Sequence, residues 1–367
     1  MIGGVRARAA IAFEPGAALQ VEAVTVRDPG PGEVRVRIAA CGICASDLHV
    51  WRTGEGIGFP AVLGHEASGV VEAVGDDVRE VSEGERVVLA WIPRCGVCGP
   101  CHAGRTHLCS SMRTDGSDGS LRLGETILGR YMSVSGLSER VVVSERAVIP
   151  VPDGLPLRDV CLIGCGVTTG FGAATLTGGV RAGESVAVFG CGCVGLSAIQ
   201  GARIAGAFPI VAVDPNPARL DLACRLGATD RVAQGGAEAI AKIHELTGGG
   251  AALAIECVGK AVVVRHAFDA IAPGGRAIAV GLTRYAEEVS IPVVSLVLDK
   301  TLRGSIHGSA DPAQEFPRLF GLAADGEFRL AEMSGPDYPL EQVNEAFEAL
   351  ASGTAVRPRV VFEEMET

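Results

Sequence analysis

The stretch Ser185-Val-Ala-Val-Phe189, Gly190-Cys-Gly192-Cys193-Val194-Gly195, followed by the small-residue run 196–205, decides the fold. It reads as a strand, a glycine turn and a helix. In that context the spacing G-x-G-x-x-G is the pattern of a dinucleotide-binding turn. Gly190 permits the tight turn, Gly192 lets the backbone approach a pyrophosphate, and Gly195 allows close strand–helix packing. Backbone N–H groups at the helix start then face the phosphate charge. A second apolar run, 210–213, ends in Asp214, about 20 residues on, where a carboxylate grips the adenosine ribose 2′-OH. A carboxylate there repels a 2′-phosphate, so NAD is expected over NADP. The plainer alternative is a glycine-rich helix start with no ligand.

Outward from this turn the rhythm of strand and helix continues. Runs 210–213, 251–257 and 276–280 read as strands, and 217–226 and 261–271 as helices. Such alternation argues for a parallel, doubly wound sheet. Before residue 162 the character differs. Short β-like runs at 34–38, 68–74, 86–89 and 140–143 are broken by Gly and Pro, which suggests a folded-over, barrel-like β domain. Segment 110–124 is polar and glycine-rich and reads as a surface loop. A late helix over 340–350 and a final strand over 359–362 close the chain. A length of 367 residues exceeds the roughly 250–300 that one core covers, so two domains are the default. Aromatics are only 4% of the residues, so Val, Ala, Leu and Ile must build the core.

A net charge of −11 argues against a nucleic-acid partner. No run of about 18 apolar residues is free of charge, so no membrane span is expected. Residues 1–15 hold Arg6, Arg8 and Glu14 without a long apolar block, and do not read as a signal peptide. A reducing cytoplasm is therefore the expected location. In that compartment the 12 cysteines are read as metal ligands or reactive groups before disulfides.

Four of them lie together, at Cys95, Cys98, Cys101 and Cys109. With glycine and proline between them, four thiolates can wrap one tetrahedral ion and leave no position open, the chemistry of a structural zinc. His102 and His107 are alternative ligands, and free thiols or an iron–sulfur site are the competing readings. Three other segments each set one ligand type beside glycine or small residues: Cys41-Gly-Ile-Cys44-Ala45-Ser46-Asp47-Leu-His49, Gly64-His65-Glu66, and Gly164-Cys165-Gly166. Two thiolates and one imidazole make a three-ligand zinc site with an open fourth position, the catalytic arrangement. Spacing alone does not select those three residues. Cys41, Cys161, Cys191, Cys193, Cys224 and Cys257 are read as small buried hydrophobes.

Taken in order, Gly64-His65-Glu66-Ala-Ser-Gly69-Val-Val, the four-cysteine lobe, Leu162-Ile-Gly-Cys165-Gly-Val-Thr-Thr169-Gly and Gly190–Gly195 resemble the zinc-containing medium-chain alcohol dehydrogenases over nearly the whole chain. The resemblance implies an α/β protein with a GroES-like, β-rich catalytic domain over 1–166 and 307–367. A Rossmann domain, a doubly wound parallel sheet that binds NAD, is implied over 167–306. It implies two Zn2+ per chain: a catalytic ion on Cys44, His65 and Cys165, and a structural ion on Cys95, Cys98, Cys101 and Cys109. Glu66 matches a carboxylate that can approach the catalytic ion, Asp47 one that orients the liganding histidine, and Ser46 and His49 the ends of a proton relay. Cofactor contacts are implied for Gly190, Gly192, Cys193, Val194, Gly195, Asp214, Arg219, Thr169 and Val280, with Arg357 at the pyrophosphate. Trp91 and Leu282 match the substrate channel.

The implied reaction is hydride transfer between a primary or secondary alcohol, or its aldehyde or ketone, and NAD. A thiol-dependent formaldehyde dehydrogenase and a pathway-specific carbonyl or iminium reductase are the alternatives within the family. A homodimer is implied, or else a homotetramer. Two positions depart from the pattern. Ala45 stands where many relatives carry a basic residue against the pyrophosphate, and Cys193 replaces a glycine in the phosphate turn. The loop 110–130 matches poorly.

Overall fold

The computed structural model describes residues 4–112 and 118–362. The chain divides into two units, Met1–Cys165 with Asp311–Thr367, and Gly166–Ala310.

The first unit is built on strand Glu33–Gly42. Val34, Val36 and Ile38 alternate along it and are buried, as expected of a strand with one face on a core. One edge pairs antiparallel with Glu66–Val74, and the other is shared by Arg140–Ser144 and Arg359–Val361. Gly69 is required where two of these strands meet, because a Cβ there would lie 2.2 Å from the carbonyl oxygen of Arg37. Several charges on these strands are paired: Arg35 contacts Asp28 at 2.9 Å and Glu72 at 2.8 Å, and Arg140 contacts Glu72 at 2.9 Å. A second sheet places Gly4–Ala12 against Gln20–Arg27, in register from Gly4↔Arg27 to Ile11↔Gln20.

Segment 110–124 is not all loop. Leu121–Leu123 is a strand that pairs with the second sheet at Thr25↔Arg122 and turns back through Thr126–Ile127. Leu121 is buried, so one apolar side chain on an existing edge outweighs the glycine-rich composition around it. The part of that segment at 113–117 lies outside the described residues.

The second unit carries six parallel strands in the spatial order Asp230–Val232, Ile210–Val213, Val186–Phe189, Ala251–Glu256, Ile271–Ala279 and Thr301–Gly304. Within the sheet this is the order 3-2-1-4-5-6, which reverses between the first and fourth strands; ligands bind at such a switch point. Every residue of Val186–Phe189 and Ile210–Val213 is buried, the continuous apolar run that a sheet covered on both faces demands. Helices Cys193–Ile204, Pro217–Leu226 and Ala261–Ala270 fall where the periodicity predicts them. Two helices that it does not single out are Gly236–Thr247 in this unit and Pro312–Ala324 in the first. The late helix begins at Val343, after a 3-10 turn at Leu340–Gln342. Among the described residues no single helix is long and apolar enough to cross a membrane.

Candidate active site and metal centres

Strand Glu33–Gly42 ends at a glycine, and the chain turns through Ile43 and Cys44 into helix Ala45–Thr53, which stops at Gly54 with φ 72°. Asp47, in the first turn, reaches back: its Oδ2 accepts the backbone N–H of Cys44 at 2.9 Å. This is the carboxylate half of a capping box, and its charge complements the helix N-terminus. Asp47 Oδ1 accepts the N–H of Gly64 at 2.9 Å and faces His65 Nδ1 at 3.1 Å. One carboxylate, fully buried, therefore ties the start of the helix to the segment that carries the histidine.

The ligand atoms of Cys44, His65, Glu66 and Cys165 all lie within 4.8 Å of one another, and all four residues are buried. With Nδ1 donating to Asp47, His65 keeps a lone pair on Nε2, and Ser46 Oγ lies 3.2 Å from that nitrogen. A hydrogen bond from the Cys165 side draws the Cys44 thiol well below the ordinary range, helped by Arg357, and the same bond holds Cys165 well above it. Burial opposes a proton on His65, but the charge and hydrogen bond of Asp47 together with those of Cys44 outweigh it and lift the imidazole above its usual value. Among the described residues, two soft sulfurs and an imidazole nitrogen converge with no further sulfur or nitrogen ligand; this is the donor set of a three-ligand zinc, so the residues fit that ion.

Glu66 is the fourth member. Its Oε2 lies 3.5 Å from Arg357 Nε, and Arg357 Nη1 donates to the Ile43 carbonyl at 3.1 Å. The resemblance implies a phosphate contact for Arg357; here the guanidinium is buried against the metal-site carboxylate. His49, half-buried on the same helix as Ser46, places Nε2 2.9 Å from Glu55 Oε2. Glu55 is not legible as a partner, since nothing in its local sequence distinguishes it from a surface acid.

Two aromatic rings stand edge-on to His65: Trp91 at 6.4 Å and 83°, and Tyr131 at 5.4 Å and 85°. Trp91 is anticipated from the sequence. Tyr131 is not, and no motif marks it; the signal available is its rarity, one of 3 tyrosines in the chain. Its hydroxyl donates to the Ser46 carbonyl at 3.3 Å, and burial pushes its ionisation up.

The sulfurs of Cys95, Cys98, Cys101 and Cys109 also lie within 4.8 Å of one another. The lobe is shaped by a one-turn helix, Gly99–His102, and a 3-10 turn, Thr106–Leu108. The backbone N–H groups of Ser110 and Cys101 hold the Cys98 thiol down to about 5, while desolvation pushes Cys101 up to about 12. Four converging sulfurs suit a structural zinc site. Among the described residues, neither His102 nor His107 joins the four sulfurs.

In the second unit the glycine turn follows Val186–Phe189. Gly190 has φ +90°, and a Cβ on Gly195 would sit 1.8 Å from the Gly190 carbonyl oxygen. Gly192 caps the helix with no atom within 4 Å of a Cβ, so the space beside it is open. Cys193 and Val194 begin the helix behind that turn. Asp214 accepts the N–H of Cys191 through Oδ2 and of Asn216 through Oδ1, each at 2.8 Å. Arg219 is half-buried in the next helix, Thr169 is buried on Gly166–Gly172, and Val280 donates to the Glu256 carbonyl at 2.9 Å. Leu282 is 53% exposed on this unit.

Comparison with known proteins agrees with this geometry. Residues 30–153 match the alcohol dehydrogenase GroES-like domain, and 193–325 match the zinc-binding dehydrogenase domain. The chain is 39% identical to an NDMA-dependent alcohol dehydrogenase of Amycolatopsis methanolica, over 96% of this chain and 98% of that one. It is 37% identical to an S-(hydroxymethyl)glutathione dehydrogenase of Saccharomyces cerevisiae, over 96% and 95%. Among solved structures, benzyl alcohol dehydrogenase from Acinetobacter calcoaceticus superimposes with a TM-score of 0.92 at 30% identity, covering 98% of this chain and 99% of that one. The chain therefore belongs to the zinc-containing medium-chain alcohol dehydrogenase family and is a zinc-dependent alcohol oxidoreductase.

Proposed function

We propose that the chain moves a hydride between an alcohol and NAD at a zinc held by Cys44, His65 and Cys165, with a second zinc held by Cys95, Cys98, Cys101 and Cys109. The observation that carries this is the convergence of two buried sulfurs and one imidazole within 4.8 Å, beside the Ser46 hydroxyl. Bound there, zinc supplies Lewis acidity that lowers the pKa of an alcohol. Asp47 holds His65 in the tautomer that offers Nε2. Ser46 takes the alcohol proton and His49 passes it outward. Glu66, held beside Arg357, would offer a carboxylate to a zinc bound there. Trp91 and Tyr131 set two aromatic rings beside His65, which favours benzylic or medium-length alcohols; the benzyl alcohol dehydrogenase neighbour supports the same substrate class. Asp214 favours NAD, since its carboxylate repels a 2′-phosphate.

The test pairs zinc content with an alcohol panel read at the NADH absorbance band. The parent protein is expected to hold two zincs, and Cys165→Ser one, with turnover lost and NADH binding retained. Full turnover in Cys165→Ser would reject the assignment. The same panel with formaldehyde, with and without a low-molecular-weight thiol, separates simple alcohols from thiol adducts such as the yeast relative's name describes.

Ala45 is exposed at the first position of helix Ala45–Thr53. An arginine there would add a charged hydrogen bond to phosphate, worth about 1.5–3 kcal/mol. A cation at a helix N-terminus costs about 0.3–1 kcal/mol of helix stability, in free and NADH-bound protein alike. Ala45→Arg should thus tighten NADH binding about tenfold; unchanged or looser binding in a titration would refute the phosphate contact.

A homodimer is supported by one face of the second unit. Val293, Val294 and Val297 on helix Val293–Val297 are 74%, 66% and 78% exposed, and the sheet ends beside them in the edge strand Thr301–Gly304. An exposed apolar patch at an open sheet edge is an association surface. Val297→Asp should convert a dimer to a monomer in sedimentation velocity; an unshifted dimer would place the interface elsewhere. None of the 12 cysteines is disulfide-bonded, which supports a cytoplasmic location.

A further inference from the structure

Strand Ala251–Glu256 is apolar until its last residue, where a carboxyl group enters the core. Glu256 is fully buried. Burying a carboxyl group is costly unless its environment answers it, so its neighbours should reveal what it does. Its Oε1 accepts the backbone N–H of Val258 and of Gly259, each at 2.7 Å. Its own carbonyl accepts the N–H of Val280 at 2.9 Å and of Gly281 at 3.2 Å. It is paired with Phe189 on one side and Ala279 on the other, and the next residue, Cys257, donates to the Phe189 carbonyl at 2.9 Å. One residue thus ties together the ends of three strands at the carboxyl rim of the sheet.

The turn it holds has no slack. A Cβ on Gly259, where φ is +79°, would lie 2.4 Å from the Leu282 carbonyl oxygen, and one on Gly281 would lie 2.0 Å from the Gly259 nitrogen. A Cβ on Gly190, the first glycine of the phosphate turn, would lie 2.8 Å from Val258 Cγ2. Moving 258–259 therefore moves the wall against which Gly190 turns. Successive backbone N–H groups in such a turn form a concavity suited to an anion. Here the concavity is filled from within, by the Glu256 side-chain oxygen Oε1. Oε2 is buried with no hydrogen-bond partner among the described residues, so the hydrogen-bonding work falls on Oε1.

We infer that Glu256 is a positioning residue for the coenzyme: its Oε1 shapes the 257–259 turn and so the nucleotide rim beside Gly190. The inference rests on the reading of 190–195 as the NAD turn. Glutamine keeps an acceptor at Oε1. Alanine leaves the Val258 and Gly259 N–H groups without that acceptor, and aspartate retracts the acceptor by one methylene while keeping the charge.

The test is NADH titration by fluorescence on the zinc-loaded protein and on Glu256→Ala, Glu256→Gln and Glu256→Asp, with zinc content and steady-state kinetics on each. Glu256→Ala and Glu256→Asp are expected to weaken NADH binding at least about tenfold. Their KM for NAD should rise while kcat at saturating coenzyme stays within about threefold. Glu256→Gln should stay within about threefold of the parent affinity. Parent-like binding by Glu256→Ala overturns the inference, as does Glu256→Gln falling as far as Glu256→Ala. If Glu256→Ala does not fold, Glu256→Asp decides, and parent-like affinity in it is the overturning result. A parent protein that binds no NADH rejects the NAD reading itself, and the inference with it.

Discussion

Gly195→Ala is expected to weaken NADH binding by at least about a hundredfold, close to 3 kcal/mol, while both zincs are retained. The added Cβ would stand 1.8 Å from the Gly190 carbonyl oxygen, 2.9 Å from its carbon and 3.4 Å from Val188 Cγ1. No rotamer relieves this, because a Cβ has no freedom of its own and the opposing atom is backbone. Helix Cys193–Ile204 must shift away from strand Val186–Phe189, and the N–H groups at its start go with it. Gly192→Ala is the informative companion. At that position nothing lies within 4 Å of a Cβ and φ is −79°, so the free protein should fold as stably as the parent. If the open space beside Gly192 is where the pyrophosphate sits, Gly192→Ala loses NADH affinity with its melting temperature unchanged. Parent-like NADH binding by Gly195→Ala would show that this turn does not shape the coenzyme site.

The second large effect is expected at Asp47. Asp47→Asn conserves the shape of the side chain but not its hydrogen-bonding pattern. If the amide oxygen keeps Gly64 and His65, the amide nitrogen faces the N–H of Cys44, donor against donor. A buried donor left without an acceptor costs about 1–3 kcal/mol, and here the donor belongs to a metal-site residue. Removing the outer partner of a liganding histidine costs about 10–100-fold in metal affinity or activity. Asp47→Asn should therefore lose about 10–100-fold in kcat/KM and release its catalytic-site zinc more readily to a chelator. NADH affinity should be spared, because the hydrogen bonds of Asp47 go to Cys44, Gly64 and His65 and none goes to the glycine turn 190–195. Zinc release and kcat/KM equal to the parent would remove Asp47 from the site.

The two tests read different kinds of information in the chain. The glycine turn and the four-cysteine lobe are legible because their constraints act between residues close in sequence. Gly190 and Gly195 exclude each other's side chains within one turn, and four sulfurs separated by glycine and proline have few ways not to converge. The parallel sheet is legible for a related reason: strands covered on both faces must be continuously apolar, as Val186–Phe189 and Ile210–Val213 are. Segment 110–124 reads as a loop and departs from that reading where a single buried leucine, Leu121, joins an edge made by residues nearly a hundred positions earlier.

The two-unit α/β architecture, the glycine turn at 190–195 and the cysteine lobe can thus be read along the chain. Folding was needed to bring Cys44, His65 and Cys165 to one point, set Arg357 against Glu66, turn Tyr131 edge-on to His65 and bury Glu256 at the carboxyl rim of the sheet. The division has one physical cause. A steric clash or a short chelating loop is decided by neighbours along the chain, whereas a buried polar contact exists only once long-range strand pairing has brought distant backbone together and excluded water from between.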